Sequence, residues 1–237
     1  MRKITITAGP CAVETYKQIE DTAKFLSSLG IKILRGGAFK PRTNPDDFQG
    51  LGETALKFLR KCADKYGMKV ITEVMDPREI KLVSKYADIL QIGSRNMHNG
   101  PFLKELGRQK KPVLLKRGMS ATLHEFQQAV RYLEKGGNKN IYVCERGERT
   151  FHDETRFTIN IGSIPVIKEK IKYPLIVDPS HAAGKSEYVS AIAKGVIAAG
   201  AEGLLIEVHP KPKEALCDAN QALSFKMFEK LLKELQV

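Results

Sequence analysis

Residues suited to holding anions or metal ions recur at one kind of position in this chain, directly after short apolar or β-branched runs. Arg35 follows the run 31–34, Glu73 follows 70–72, Arg95 follows 89–93 and Lys116 follows 113–115. Glu145 and Arg146 follow 141–144, Asp178 and His181 follow 175–177, and Glu207 follows 204–206. The first run, 4–8, leads into Gly9, Pro10 and Cys11. A buried strand has no need of a charge at its end. Arg and Lys bind phosphates and carboxylates, Arg through paired hydrogen bonds. Cys, His, Asp and Glu are the side chains that ligate divalent transition metals.

The elements that must position these residues alternate. Eight runs with the length and composition of strands are separated by helical patterns at 15–29, 47–66, 77–85, 101–106, 122–134, 163–172, 187–199 and 220–235. Several of these patterns stop at glycine, as at Gly30, Gly67, Gly107, Gly136 and Gly200, and Thr122 with Glu125 forms a capping box. Eight strand–helix units of similar length predict a closed (β/α)8 TIM barrel, an α/β fold, as a single domain over residues 1–237. The rival, a doubly wound open sheet, lacks its Gly-rich fingerprint. In a barrel the loops after the strands open onto one face, which is where the charges fall. The start, Met1 to Thr5, is expected to enter the first strand at once.

The composition bounds the function. The chain has 237 residues and 42 % hydrophobic content, enough for one barrel of about 250 residues. No apolar stretch approaches the roughly 20 residues of a membrane span. The start has no signal-peptide pattern, so a cytoplasmic location is expected. Four scattered cysteines read as thiols, with Cys62 as helix packing. The net charge of +12 raises nucleic-acid binding as one reading. Against it, no nucleic-acid motif is present and the aromatics are not interleaved with basic residues. Cations gathered in a cleft suit a small polyanionic substrate better.

If the barrel closes, the first, seventh and eighth strands are neighbours. Cys11, His181, Glu207 and Asp218 then converge on one sector of the rim. One thiolate, one imidazole and two carboxylates suit a divalent ion such as Mn, Fe, Co or Zn. His209 falls at the same rim as a supporting or structural residue. Arg35, Lys40, Arg95, Lys116 and Arg146 are expected in the opposite sector, where mutual repulsion calls for an anion carrying phosphate and carboxylate groups. Lys116 also admits a Schiff-base role. Two loops exceed the usual length, 36–46 and 147–162. The first carries Lys40, Pro41, Arg42 and Thr43, with Arg42 and Thr43 suited to a second phosphate. The second is basic and is either a lid or a subunit contact.

Six motifs in order, Gly9-Pro-Cys-Ala-Val-Glu14, Arg35-Gly-Gly-Ala-Phe-Lys-Pro-Arg-Thr43, Ile92-Gly-Ser-Arg95, Glu145-Arg-Gly147, Asp178-Pro-Ser-His181 and Ile206-Glu-Val-His-Pro210, resemble the 3-deoxy-D-arabino-heptulosonate 7-phosphate (DAHP) synthases. The type is the one related to 3-deoxy-D-manno-octulosonate 8-phosphate synthase, and the match spans nearly the whole chain. The resemblance implies condensation of phosphoenolpyruvate with D-erythrose 4-phosphate, the first step of the shikimate pathway to aromatic amino acids. It implies a metal held by Cys11, His181, Glu207 and Asp218, and phosphoenolpyruvate held by Arg35, Lys40, Arg95, Lys116 and Arg146. It gives Arg42 and Thr43 to the sugar phosphate, and Glu73 to orienting the cations and a water. Lys40, His181 and Cys11 are the expected catalytic groups.

The Lys40-Pro-Arg-Thr43 run resembles the heptulosonate type, whereas the octulosonate enzymes carry a Lys-Ala-Asn type run and take arabinose 5-phosphate, the alternative reading. Departures from the family pattern are Asn44, Glu148 and the Thr158-Ile-Asn160 stretch. The resemblance also implies a homotetramer. Family members often add a regulatory domain that senses aromatic end products; none is expected here. Activity is therefore expected to be unaffected by Phe, Tyr or Trp at physiological concentration, and inhibition of the purified protein by any of them would refute this.

Overall fold

The computed structural model describes residues 4–236, so the expected strand start at residues 1–3 lies outside the described residues. The strands are β1 (Thr5–Gly9), β2 (Ile33–Arg35), β3 (Lys69–Val74), β4 (Ile89–Ile92), β5 (Val113–Lys116), β6 (Ile141–Glu145), β7 (Leu175–Val177) and β8 (Gly203–Glu207). Each pairs in parallel with the next, and β1 pairs with β8, closing the barrel. The helices are α1 (Tyr16–Ser28), α2 (Glu53–Lys65), α3 (Ile80–Tyr86), α4 (Gly100–Gly107), α5 (Leu123–Lys135), α6 (Ser163–Lys170), α7 (Pro179–Ala183), α8 (Ser186–Ala198) and α9 (Phe225–Leu235). The fold is the expected (β/α)8 barrel. None of its described helices is long and apolar enough to cross a membrane.

The strand sequences show why charge collects at one end. Successive side chains alternate between the helix-facing and the interior side of the barrel. On the interior side, Ile71, Ile89, Leu114, Cys144, Ile176 and Leu205 pack together as one apolar cluster. Two residues further along, the same side presents Glu73, Gln91, Lys116, Arg146, Asp178 and Glu207, with Arg35 two residues beyond Ile33. The helix-facing side belongs to the larger core, which includes Phe102, Phe126 and Phe228, all fully buried.

Several boundaries differ from expectation. Four strands end on the charged residue itself, because its backbone still pairs in the barrel: Arg35 opposite Ile71, Lys116 opposite Cys144, Glu145 opposite Val177, and Glu207 opposite Gly9. Helix α2 starts at Glu53 and not at 47, since Gly50 (φ 94°) and Gly52 (φ 58°) hold the backbone in left-handed conformations that no helix admits. The long second loop therefore reaches Gly52. Helix α9 starts at its Ser224 cap and not at 220, which leaves 215–223 as rim loop. The short helix α7 was not anticipated; it is capped by Asp178, with Pro179 in its first turn.

Candidate active site

Four donor atoms, one each from Cys11, His181, Glu207 and Asp218, lie within 4.8 Å of one another. They come from the ends of β1, β7 and β8 and from the loop before α9, as barrel closure requires. Gly9 turns the chain toward Cys11 at φ 149°, where an added Cβ would lie 2.0 Å from the Arg35 carbonyl oxygen. Asp218 holds a left-handed φ of 55°, uncommon for a residue other than glycine, and one that functional sites tend to concentrate. Its Oδ2 accepts from Cys11 Sγ at 3.2 Å.

Asp178 fixes the imidazole. Its carboxylate accepts from the His181 backbone N–H at 2.9 Å, from His181 Nδ1 at 2.7 Å and from Lys116 Nζ at 2.5 Å. With Nδ1 donating, Nε2 is left with its lone pair, 3.4 Å from Glu207 Oε1 and 3.6 Å from Asp218 Oδ2. A carboxylate behind a histidine is the usual support for a metal-binding ring. Glu207 is itself held, accepting from Arg35 Nη1 at 2.8 Å and from Gln221 Nε2 at 2.7 Å. This thiol, imidazole and carboxylate set suits a divalent transition metal.

The titration of these groups follows from burial and neighbours. Burial raises the Asp178 carboxyl, but His181 and Lys116 outweigh it and hold it well below the usual range. Asp218 is likewise raised by burial and then pulled below the usual range by His181 and Arg156. Burial lowers His181 despite its acidic neighbours, so the ring is held neutral, the form a metal needs. The hydrogen bond with Cys217, together with burial, pushes the Cys11 thiol up.

The cations do not form a separate sector opposite the donors, as expected from sequence; they interleave with them. Arg35 reaches Glu207 and the Pro10 carbonyl at 2.9 Å, and Lys40 Nζ lies 2.9 Å from Cys11 Sγ. The interior of an eight-stranded barrel is narrow enough for such long side chains to cross it. Lys116 Nζ is closed in an ion pair with the buried Asp178 carboxylate. Arg146 is different. It is 4 % exposed and stacks 3.7 Å from the Phe157 ring centre, and its buried Nε and Nη1 have no hydrogen-bond partner. An unpaired buried guanidinium is a strong attractor for an anion.

One cleft of about 410 Å³ takes in Lys40, Arg42, Thr43, Glu73, Arg95, Lys116, Arg146, His181 and Asp218. Cys11, Arg35 and Glu207 lie beneath its floor, all buried. Glu73 accepts from Gln91 at 3.2 Å, and an added Cβ on Gly93 would lie 2.0 Å from Glu73 Oε1, so glycine is what admits that carboxylate. Arg42 is paired with Asp47 at 2.8 Å and touches Cys217 Sγ at 2.9 Å. His209 is not among the residues lining the cleft; its Nδ1 accepts from the Lys211 backbone N–H at 3.0 Å.

Sequence reasoning missed Asp178 as the anchor of His181, although it stands at a strand end before a proline. It also missed Cys217, Arg149 and Arg156, which line the cleft. Arg156 donates to Asp218 and to Gln221, both at 3.0 Å. The loop 147–162 folds back on the rim through Glu148 and Thr158, and Phe157 donates its N–H to the Ala182 carbonyl at 2.9 Å. The base of this loop is thus a wall of the cleft. Glu148 lies 3.2 Å from buried Arg117, which also pairs with Glu145 at 2.8 Å.

The fold and the site define a barrel protein whose rim combines four side chains that could hold a metal ion with a group of closely placed cations. The chain belongs to the DAHP synthetase I family, whose sequence model matches residues 2–237. It is 48 % identical over 232 residues to the phospho-2-dehydro-3-deoxyheptonate aldolase of Thermotoga maritima, covering 98 % of this chain and 69 % of that protein. A 2-dehydro-3-deoxyphosphooctonate aldolase of Francisella philomiragia is 29 % identical over 251 residues, covering 97 % of this chain and 90 % of the relative. Among solved structures, the Thermotoga maritima DAHP synthase superposes with a TM-score of 0.96 at 48 % identity, covering 99 % of this chain and 68 % of that one. A truncated form of the Thermotoga maritima synthase gives 0.92 at 44 % identity, covering 99 % and 86 %.

Asp178, Asp218 and His181 all hold protons less readily when folded than when unfolded. The unfolded chain therefore takes up the extra protons, and stability falls on acidification. Unfolding by urea in EDTA should show full stability above about pH 6.5, a decline below it, and a steeper one below about pH 3.9. In Asp178→Asn the acid limb should flatten, and stability at neutral pH should drop by about 3–5 kcal/mol because Lys116 loses its buried counter-ion. A flat acid limb in the parent protein would contradict this assignment.

Proposed function

We infer that this chain condenses phosphoenolpyruvate with D-erythrose 4-phosphate to give DAHP and inorganic phosphate, the first step of the shikimate pathway. Family membership supports the reaction. The observation that carries it to this site is the single cleft joining part of the metal donor set to unpaired Arg146 and to the Arg42–Thr43 loop. In this reading Cys11, His181, Glu207 and Asp218 hold a divalent ion, which supplies Lewis-acid polarisation of the aldehyde oxygen when bound. Its identity among Mn, Fe, Co and Zn is left open by the donor types.

The chain's own residues do the rest. Arg146, Arg95 and Lys116, with Arg35 and Lys40 beside them, hold the phosphate and carboxylate of phosphoenolpyruvate. Arg42 and Thr43 hold the phosphate of the sugar. Fixing both substrates in one cleft removes much of the entropic barrier. C3 of phosphoenolpyruvate then bonds to C1 of the aldehyde, and water adds at C2. The resulting hemiketal phosphate loses phosphate by C–O cleavage. Lys40 is buried, which lowers its proton affinity, but the cysteine sulfurs outweigh that and keep it protonated. It is the acid nearest the donor set, and Glu73 orients the cations and the attacking water. The same reading makes the enzyme a cytoplasmic homotetramer.

Phosphate release from phosphoenolpyruvate, measured with erythrose 4-phosphate or arabinose 5-phosphate and with Mn²⁺ or EDTA, tests this. Turnover is expected with the four-carbon sugar alone and is expected to vanish in EDTA. Preference for arabinose 5-phosphate would transfer the chain to the octulosonate reaction, and undiminished activity in EDTA would remove the metal.

Arg146→Met should raise KM for phosphoenolpyruvate by roughly ten- to a hundredfold, the loss expected for hydrogen bonds to a charged group. KM for erythrose 4-phosphate should change little. Steady-state kinetics with each substrate varied in turn measure both, and an unchanged KM for phosphoenolpyruvate would take Arg146 out of the site.

A further inference from the structure

Past the last pairing of β6 the chain turns into the cleft, and its backbone donors leave the barrel's hydrogen-bond ladder. Glu145 is the last residue of β6, opposite Val177, and its carbonyl accepts from the Asp178 N–H at 2.8 Å. The next two residues, Arg146 and Gly147, are buried, so their N–H groups need acceptors of another kind. The Glu145 carboxylate supplies them: its Oε1 accepts from both N–H groups, each at 2.8 Å. Its Oε2 accepts from Arg117 Nη1, also at 2.8 Å. Arg117 is fixed in turn by the Ala121 carbonyl, to which its Nε and Nη2 donate at 3.1 and 2.6 Å. Both side chains are buried, and neither is among the residues lining the cleft.

Side-chain alternation separates Glu145 from its neighbour Arg146. Glu145 follows Val143 on the helix-facing side, and Arg146 follows Cys144 on the interior side. The carboxylate therefore does not take the place of an anion on the Arg146 guanidinium. It grips the backbone from which that side chain rises, while the Phe157 ring supports the guanidinium at 3.7 Å. The fit between the two supports is close. Gly147 sits at φ 92°, and a Cβ added there would lie 2.8 Å from Phe157 Cβ. A shift of the 146–147 backbone would move Arg146 against that ring and turn its unpaired Nε and Nη1 away from the cleft. We propose that Glu145, its charge matched by Arg117, is a positioning residue that aims the Arg146 guanidinium at the anion of phosphoenolpyruvate. This rests on the reading of the cleft as a phosphoenolpyruvate site. Arg117 keeps the carboxylate in place from behind, so the acceptor for the two N–H groups is preorganised before substrate arrives.

The test is calorimetric titration of the full chain with phosphoenolpyruvate alone, for the parent protein, Glu145→Gln, Arg117→Met and the double variant. Thermal melting of each is followed by circular dichroism. In Glu145→Gln the amide oxygen still accepts from the backbone, but its NH2 group meets the Arg117 N–H, donor against donor. In Arg117→Met the carboxylate loses its counter-ion. Each single change should weaken binding about tenfold, within the cost of a small misplacement of a binding group. The double variant removes both charges together and keeps the backbone acceptor. Its Kd should return to within about threefold of the parent, the non-additive result expected of coupled residues. A pair that only holds the fold together would lower the melting temperature and leave the Kd of the folded protein at the parent value, which would overturn the positioning role. Losses that add in the double variant would overturn it as well. Where a single variant does not fold, the double variant, which buries no unmatched charge, decides alone: binding about tenfold weaker than the parent's would overturn the role. A parent protein that binds no phosphoenolpyruvate would overturn the reading of the cleft and the positioning role with it, whereas unchanged Kd values in the variants of a binding parent would overturn the positioning role alone.

Discussion

Everything at this rim depends on placing charge inside a barrel without leaving it unpaired. The interior side of the strands changes from apolar to charged within two residues, so the floor of the cleft is a layer of ions resting on a layer of Ile, Leu and Cys. A lone buried charge costs several kcal/mol, so such a layer persists only if nearly all of its members find partners. The partners are specific. Asp178 faces Lys116 and His181, Glu207 faces Arg35 and Gln221, Glu145 faces Arg117, and Lys40 faces the Cys11 sulfur.

This pairing divides the cations into two kinds. Arg35, Lys40 and Lys116 are spent largely on internal partners, and they hold the donor atoms in place. Arg146 is buried, is lowered in proton affinity by that burial, and has two nitrogens without a partner. It is the point where the internal balance is left open, and the proposed phosphoenolpyruvate site is built around it. Arg42 and Thr43 stand further out on a well-tied loop, where the Asn44 carboxamide accepts from the Asp46 backbone at 3.1 Å and Lys40 N–H reaches the Gln49 carbonyl at 2.9 Å. The two proposed anion sites thus differ in kind: one is enclosed by the barrel and the other is carried on a loop.

The loops are tied to the rim by contacts of their own. Glu148 pairs with Arg117, which joins the sixth loop to the charged layer. Asn44 closes a tight turn. The base of the 147–162 loop is pinned to α7 through Phe157 and Arg156, while Phe151 at its tip is 92 % exposed. One segment thus serves as a cleft wall at its base and an open surface at its tip, which is why its composition alone left its role divided between lid and contact.

The sequence by itself determined the order of the eight strands and of every helix but the short α7, the closed barrel, and the identity of the candidate donors and most of the cations. It could do so because strand alternation and the position of the βα loops are local rules, and a charge at a strand end is visible without knowing its partner. Only the tertiary structure decided which charge meets which. Sequence separation is 172 residues between Arg35 and Glu207, and 62 between Lys116 and Asp178, and no local rule reaches across such distances. The same holds for Cys217, 206 residues from Cys11, whose type and position gave no sign of a second sulfur. Barrel closure sets those contacts, and they turn a row of strand-end residues into one cleft.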